Sequence, residues 1–145
     1  MRAVLKPGQT VFVDTAPLIY LFEGSSLFAD KAAAFLKSAS ELEARLVSSM
    51  ITYAELMVLP LRKGNLQLAG RYRAFLTNSR ALSLHQVDLF VADRAAQLRA
   101  EFSSLKLPDA IQLATAEACG ADLILTNDRQ WPSVKGVKVV LLSDL

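Results

Sequence analysis

The chain is nearly devoid of the residues that carry thiol and imidazole chemistry, with one cysteine, Cys119, and one histidine, His85, among 145 residues. A lone thiol forms no internal disulfide, which fits a reducing compartment. One Cys and one His also fall short of the four-ligand set of a structural zinc site. A pair of histidines working as acid and base is excluded for the same reason, and His85 reads as the end of a strand. Long apolar runs are missing too. The most hydrophobic segment, Val11 to Phe22, contains Asp14 and Pro17 and is too short to span a bilayer. Pro7-Gly8 interrupts the stretch that follows Arg2 and Lys6, so that stretch does not read as a signal peptide, and the expectation is a cytoplasmic protein with no membrane partner. No low-complexity linker divides the sequence, whose length suits a single domain over 1–145. Nor is there a dominant charge: the net value of +2 tolerates a polyanionic partner but is far from that of a dedicated nucleic-acid binder.

What is present is an alternation of short β-branched runs with segments of helical periodicity. Val11-Phe12-Val13 predicts a strand ending at Asp14, with Pro17 opening a helix. Lys31 to Glu43 has apolar residues at helical spacing, and Leu46-Val47-Ser48 reads as a second strand. Ser49 suits the cap of a helix carrying Thr52 to Leu61, which Gly64-Asn65 ends. A helix from Leu66 to Leu76 precedes a strand over Ala81 to His85, and Asp88 starts a long helix reaching Phe102. Pro108-Asp109 begins another helix, closed by Gly120. Strands over Leu123 to Leu125 and Val137 to Leu141 complete the pattern. Parallel neighbours need crossover connections, so the expected fold is α/β, a three-layer α/β/α sandwich around a parallel sheet of about five strands. In such sheets ligands sit beyond the carboxyl ends of the strands.

Four of the fourteen acidic residues are placed unusually. Asp14 terminates an apolar strand, although it also suits a helix cap. Glu55 interrupts the apolar stretch Met50 to Leu59, where a charge needs a partner, a function or an exposed helix face. Asp109 stands in a first helical turn, where an acid also favours the macrodipole. Asp128 follows a buried-type strand and equally suits a turn beside Asn127. All four can converge on one sheet edge. Closely gathered carboxylates repel and raise one another's pKa unless a divalent cation neutralises them. Oxygen-only ligands suit Mg²⁺ or Mn²⁺.

The stretches Val13-Asp14-Thr15-Ala16-Pro17, Ser49 through Glu55-Leu56, Leu107-Pro108-Asp109-Ala110 and Leu125-Thr126-Asn127-Asp128, in that order, resemble the PIN-domain nucleases. Within them the chain looks like the VapC-type toxins of bacterial and archaeal toxin–antitoxin pairs. The resemblance implies a metal-dependent endoribonuclease acting on RNA, often a homodimer inhibited by an antitoxin protein. It makes Asp14, Glu55 and Asp109 the most dependable acidic positions, Asp128 the more variable fourth, and Thr126 the accompanying hydroxyl. Trp131 stands where that motif usually has Phe.

The chemistry expected is hydrolysis with in-line attack of water on a phosphodiester, leaving a 5′-phosphate and a 3′-hydroxyl, with one or two cations on the carboxylates. Thr15 and Thr126 are candidates to orient ligands, or, for Thr15, to cap a helix. Arg62, Lys63, Lys106 and Arg129 are candidate phosphate contacts, with Tyr20 or Trp131 available for base stacking; such residues are more often ordinary surface charges and core aromatics. One rival reading is a PIN-like module that binds RNA or protein without turnover. A receiver or haloacid-dehalogenase-type domain fits poorly, because it wants a second Asp beside the first and here Thr15-Ala16 follows Asp14.

Overall fold

A computed structural model describes residues 4–24, 27–134 and 136–145; Arg2, part of the signal-peptide reading, lies outside them. The strands are β1 (Thr10–Val13), β2 (Arg45–Ser49), β3 (Leu82–His85), β4 (Leu123–Thr126) and β5 (Lys138–Leu141). The helices are α1 (Thr15–Glu23), α2 (Leu27–Glu41), α3 (Met50–Arg62), α4 (Leu66–Asn78), α5 (Leu89–Glu101) and α6 (Leu107–Ala118). A 3-10 turn over Leu142–Asp144 follows β5. Among the described residues no helix is long and apolar enough to cross a membrane.

The strands form one sheet in the order β3-β2-β1-β4-β5, and every pairing is parallel. Successive strand residues point to opposite faces, so both faces of an inner strand need cover. The side chains divide accordingly. Val11 and Val13 of β1, Leu46 of β2 and Leu123 and Leu125 of β4 enter one core with residues of α1, α2, α3 and α4. Phe12, Val47 and Ile124 enter a second core with Val91, Ala95 and Leu98 of α5 and Ala110, Leu113 and Ala114 of α6. This is the expected three-layer sandwich, and it explains why these strands read as unbroken apolar runs.

The helix boundaries differ from the sequence reading mostly at their starts. Helix α1 begins at Thr15, with Pro17 inside its first turn, where a missing N–H costs no hydrogen bond. Helix α2 begins at Leu27 rather than Lys31, while α3 begins at Met50, directly after its expected cap. Ser49 does cap α3, its hydroxyl accepting from the backbone N–H groups of Ile51 and Thr52 at 3.1 and 3.4 Å. Asp88 caps α5 through the Val91 N–H at 2.9 Å. Gly120 closes α6 at φ 67°, the left-handed conformation that glycine adopts without steric cost.

Two phenylalanines separate burial from composition. Phe12 is fully buried at the centre of the sheet, whereas Phe90 is 70% exposed at the start of α5. Replacing Phe12 with Ala should cost about 3–5 kcal/mol. Phe90→Ala should stay within about 0.5 kcal/mol of the parent. Urea unfolding midpoints of the two variants check this; equal losses would contradict the assignment of the second core.

Candidate active site

Beyond β1 the chain moves to β2 on one side, and it returns through α5 and α6 to β4 on the other. The crevice where the winding reverses opens at the carboxyl ends of β1 and β4, and a doubly wound sheet places its ligands there. Asp14 leaves β1 at this point, its N–H donating to the Leu125 carbonyl of the neighbouring strand at 2.9 Å. Thr126 and Asp128 leave β4 beside it. The start of α6 contributes Asp109, and the second turn of α3 contributes Glu55. The four acids share one cleft of about 550 Å³ with Thr15, Tyr20, Asn127 and Arg129.

Asp14 occupies the N-cap position of α1, but its side chain makes no capping bond. Its carboxylate instead accepts from the Thr126 hydroxyl at 2.7 Å and from the Gln112 amide at 3.2 Å. Glu55 is exposed on its helix and accepts from the Thr15 hydroxyl at 3.1 Å. Asp128 also serves its turn, with one oxygen accepting from the Gln130 N–H at 2.8 Å and its own N–H donating to Thr126 Oγ1 at 3.2 Å. The turn role and the cleft position thus coexist in this residue.

Beneath the acids lies a buried polar layer that sequence reasoning missed. Gln112 is 1% exposed, one turn after Asp109 on α6, and its amide donates to both Asp14 and the Thr52 hydroxyl, the latter at 2.6 Å. Its carbonyl oxygen accepts from the Ser49 hydroxyl. Thr52 in turn lies 3.2 Å from Thr15 Oγ1. Hydrogen bonds therefore link β2, α3, α6 and α1 under the cleft and tie Asp14 to the ligand-facing side of Thr15 and Glu55. A glutamine inside the otherwise apolar run Ala110 to Ala114 was the signal available, because a buried amide is kept only where it is bonded.

The electrostatics follow from this crowding. Burial raises the Asp14 pKa above the ordinary carboxylate value against the hydrogen bonds from Thr126, Thr15 and Gln112, and the charge of Asp128 adds to the rise. Glu55 is raised by burial first, opposed by the Thr15 bond and reinforced by Asp14 and Asp109. Asp109 is raised by burial and by Asp14 and Asp128, while Lys106 and the Trp131 indole draw it down. The ion pairs among the described residues, Arg94 with Glu117 and Arg129 with Asp144, involve none of the four acids.

An oxygen-only donor set that no ion pair among the described residues engages fits a hard divalent ion. The spacing is more open than the close cluster expected from sequence, because no three His, Cys, Asp or Glu side chains among the described residues are near enough to enclose one ion. Such a cleft suits Mg²⁺ or Mn²⁺, which keep several waters and bind directly through one or two carboxylates. Of the candidate substrate contacts, Arg129 lines the cleft, and Lys106 is close enough for its charge to act on Asp109. Arg62 and Lys63 stand at the far end of α3 and do not line it. Tyr20 lines the cleft, packed on Phe28 at 5.0 Å between ring centroids. Trp131 is buried in the second core, which is the core-aromatic alternative and not the base-stacking one. His85 ends β3, as expected, and lines a separate cavity at that edge of the sheet.

Comparison with known proteins agrees with this geometry. The PIN domain family matches residues 11–137. Among solved structures, the chain is similar to a toxin–antitoxin complex from Klebsiella pneumoniae, at 29% identity over 88% of this chain and 94% of that one, with a TM-score of 0.69. VapBC2 from Rickettsia felis, bound to a DNA fragment from its promoter, shares the fold at 17% identity, covering 92% and 98% of the two chains, with a TM-score of 0.75. Mycobacterium tuberculosis VapC20, described as a Sarcin-Ricin loop cleaving toxin, shares it at 18% identity over 83% and 91%, with a TM-score of 0.68. A comparison with curated protein sequences finds no match.

The raised carboxyl pKa values make a stability prediction for the metal-free protein. A folded state that holds protons more tightly than the unfolded chain is favoured at low pH. The contribution of Asp14, Glu55 and Asp109 is therefore complete below the ordinary carboxylate pKa of about 4 and is lost as pH rises through their raised values. Asp14→Asn should remove part of that loss, so unfolding midpoints in EDTA should fall less for the variant than for the parent between pH ~4 and ~8. Identical slopes would mean that Asp14 is not destabilised by its surroundings.

Proposed function

The chain belongs to the PIN-domain family, and we propose that it is a metal-dependent endoribonuclease, the toxin of a toxin–antitoxin pair. The observation that carries this reading is the convergence of Asp14, Glu55, Asp109 and Asp128, from four separate segments, on one cleft at the reversal point of a parallel sheet. The similarity to the Klebsiella toxin–antitoxin complex supports the toxin role and, with it, an antitoxin partner; a homodimer belongs to the same proposal.

In this reading Asp14, Glu55, Asp109 and Asp128 would hold Mg²⁺ or Mn²⁺, one or two of them directly and the others through waters that the ion keeps. The ion, when bound, supplies Lewis acidity that makes water a better nucleophile at neutral pH and offsets charge on the phosphoryl oxygens. Thr126 and Gln112 fix the orientation of Asp14, and Thr15 fixes that of Glu55. Arg129 and Lys106 are the cations placed to meet RNA phosphates at the cleft. Arg62 and Lys63 meet the strand only outside it. Tyr20 offers a ring at the cleft wall for an unstacked base. No imidazole is needed, which agrees with the absence of a histidine pair.

Structured RNAs incubated with the protein should be cut in Mg²⁺ or Mn²⁺ and left intact in EDTA, with 5′-phosphate ends on the products. Asp14→Asn should reduce cleavage to background, and Gln112→Leu should lower it roughly 10–100-fold by releasing Asp14 from its support. Cutting that persists in EDTA would contradict the mechanism. RNA binding without cleavage in any metal would favour a binding module instead.

A further inference from the structure

Among the described residues, one buried side-chain polar atom lacks a hydrogen-bond partner, the Trp131 indole nitrogen. A buried N–H left unpaired is a standing cost, and a phenyl ring at the same place would avoid it. Trp131 is 8% exposed and packs in the same apolar cluster as Ala110, Leu113 and Ala114 of α6. Trp131 directly follows the turn in which the Gln130 N–H donates to Asp128. It therefore lies between the loop that carries Asp128 and the helix that carries Asp109.

The acids show a matching gap. Asp14 accepts from Thr126 and Gln112, Glu55 from Thr15, and Asp128 from the Gln130 N–H. Among the described residues Asp109 alone of the four has no donor within hydrogen-bond distance. Trp131 packs in one cluster with Ala110, the residue that follows Asp109 on α6, and its indole N–H, short of a formed hydrogen bond, draws the Asp109 carboxyl pKa down. Carboxylates that bind metal are as a rule themselves held by hydrogen bonds from a surrounding group.

We propose that Trp131 is a positioning residue for Asp109, its indole N–H closing onto the Asp109 carboxylate when the cleft takes up a divalent cation. This rests on reading the cleft as a metal site. Each of the other three acids has its donor already engaged. Asp109 completes its set only on loading, and the unpaired N–H is held in reserve for it. A tryptophan kept purely as an apolar plug would behave otherwise, since loss of the N–H would leave metal binding untouched.

Trp131→Phe tests the difference, because it keeps an aromatic plug and removes the donor. Calorimetric titration with Mg²⁺ and Mn²⁺ should show the variant binding about ten-fold more weakly than the parent. Its metal-free melting temperature should be unchanged or higher, as an unpaired group has been removed. The parent also carries its own reporter, since Trp131 is the only tryptophan in the chain and gives a single indole N–H resonance. Saturation with diamagnetic Mg²⁺ should move that resonance downfield, as hydrogen bonding requires, and this readout stands even if the variant fails to fold. Equal metal affinity in parent and Trp131→Phe, or an indole resonance that stays put while Mg²⁺ binds, would overturn the inference and leave the metal site intact. A parent that binds neither metal would overturn the reading of the site itself.

Discussion

Repulsion among carboxylates gathered at one end of a parallel sheet is the constraint on which the site depends. Folding takes the carboxyl groups of Asp14, Glu55 and Asp109 partly out of water, although Glu55 stays exposed on its helix, and brings their charges within reach of one another, so each is displaced toward its protonated form. No Lys or Arg among the described residues closes an ion pair with them. The sheet supplies the stability that makes this tolerable, with apolar cores on both faces of β1 and β4 directly behind the acids. An arrangement that resists itself in this way has a use for a divalent ion, and the oxygen-only donors set which ions suit it.

The polar layer beneath the cleft explains how such a site stays ordered. Ser49, Thr52, Gln112 and Thr126 are each buried and each bonded, and between them they join α3, α6 and β4 to Asp14. Ser49 does two tasks at once, capping α3 and donating to Gln112, so the helix that presents Glu55 is fixed to the helix that presents Asp109. Orientation is thereby transmitted by neutral amides and hydroxyls rather than by charge. Neutral donors hold a carboxylate in place without taking up the negative charge needed for a cation.

Much of this was legible in the sequence. The strands announced themselves because residues such as Phe12 and Val13 face opposite cores, which forces continuous apolar runs. Asp14 stood out because it ends such a run, and Glu55 because its surroundings are apolar. Helix starts were less visible: α1 opens on a short polar residue with a proline in its first turn, and Leu27 at the head of α2 is exposed and adds nothing to the buried stripe. Strand order depends on pairings between distant segments and leaves no local trace. Gln112 was overlooked because a single amide in an alanine-rich helix looks like a solvated residue until its neighbours are known. Trp131 was left between base stacking and core packing, because a ring beside a polar turn suits either until the fold is known, and the structure buries it.

The central claim is that the cleft acids hold a divalent cation in exchange for protons. Calorimetric titration of the metal-free protein with Mn²⁺, repeated in buffers of different ionisation enthalpy, measures both the binding and the protons released. Saturable binding with proton release that grows as pH falls toward the carboxylate range, and with both lost in Asp14→Asn, is the predicted result. Absence of binding at millimolar Mn²⁺, or the same binding in Asp14→Asn, would contradict it.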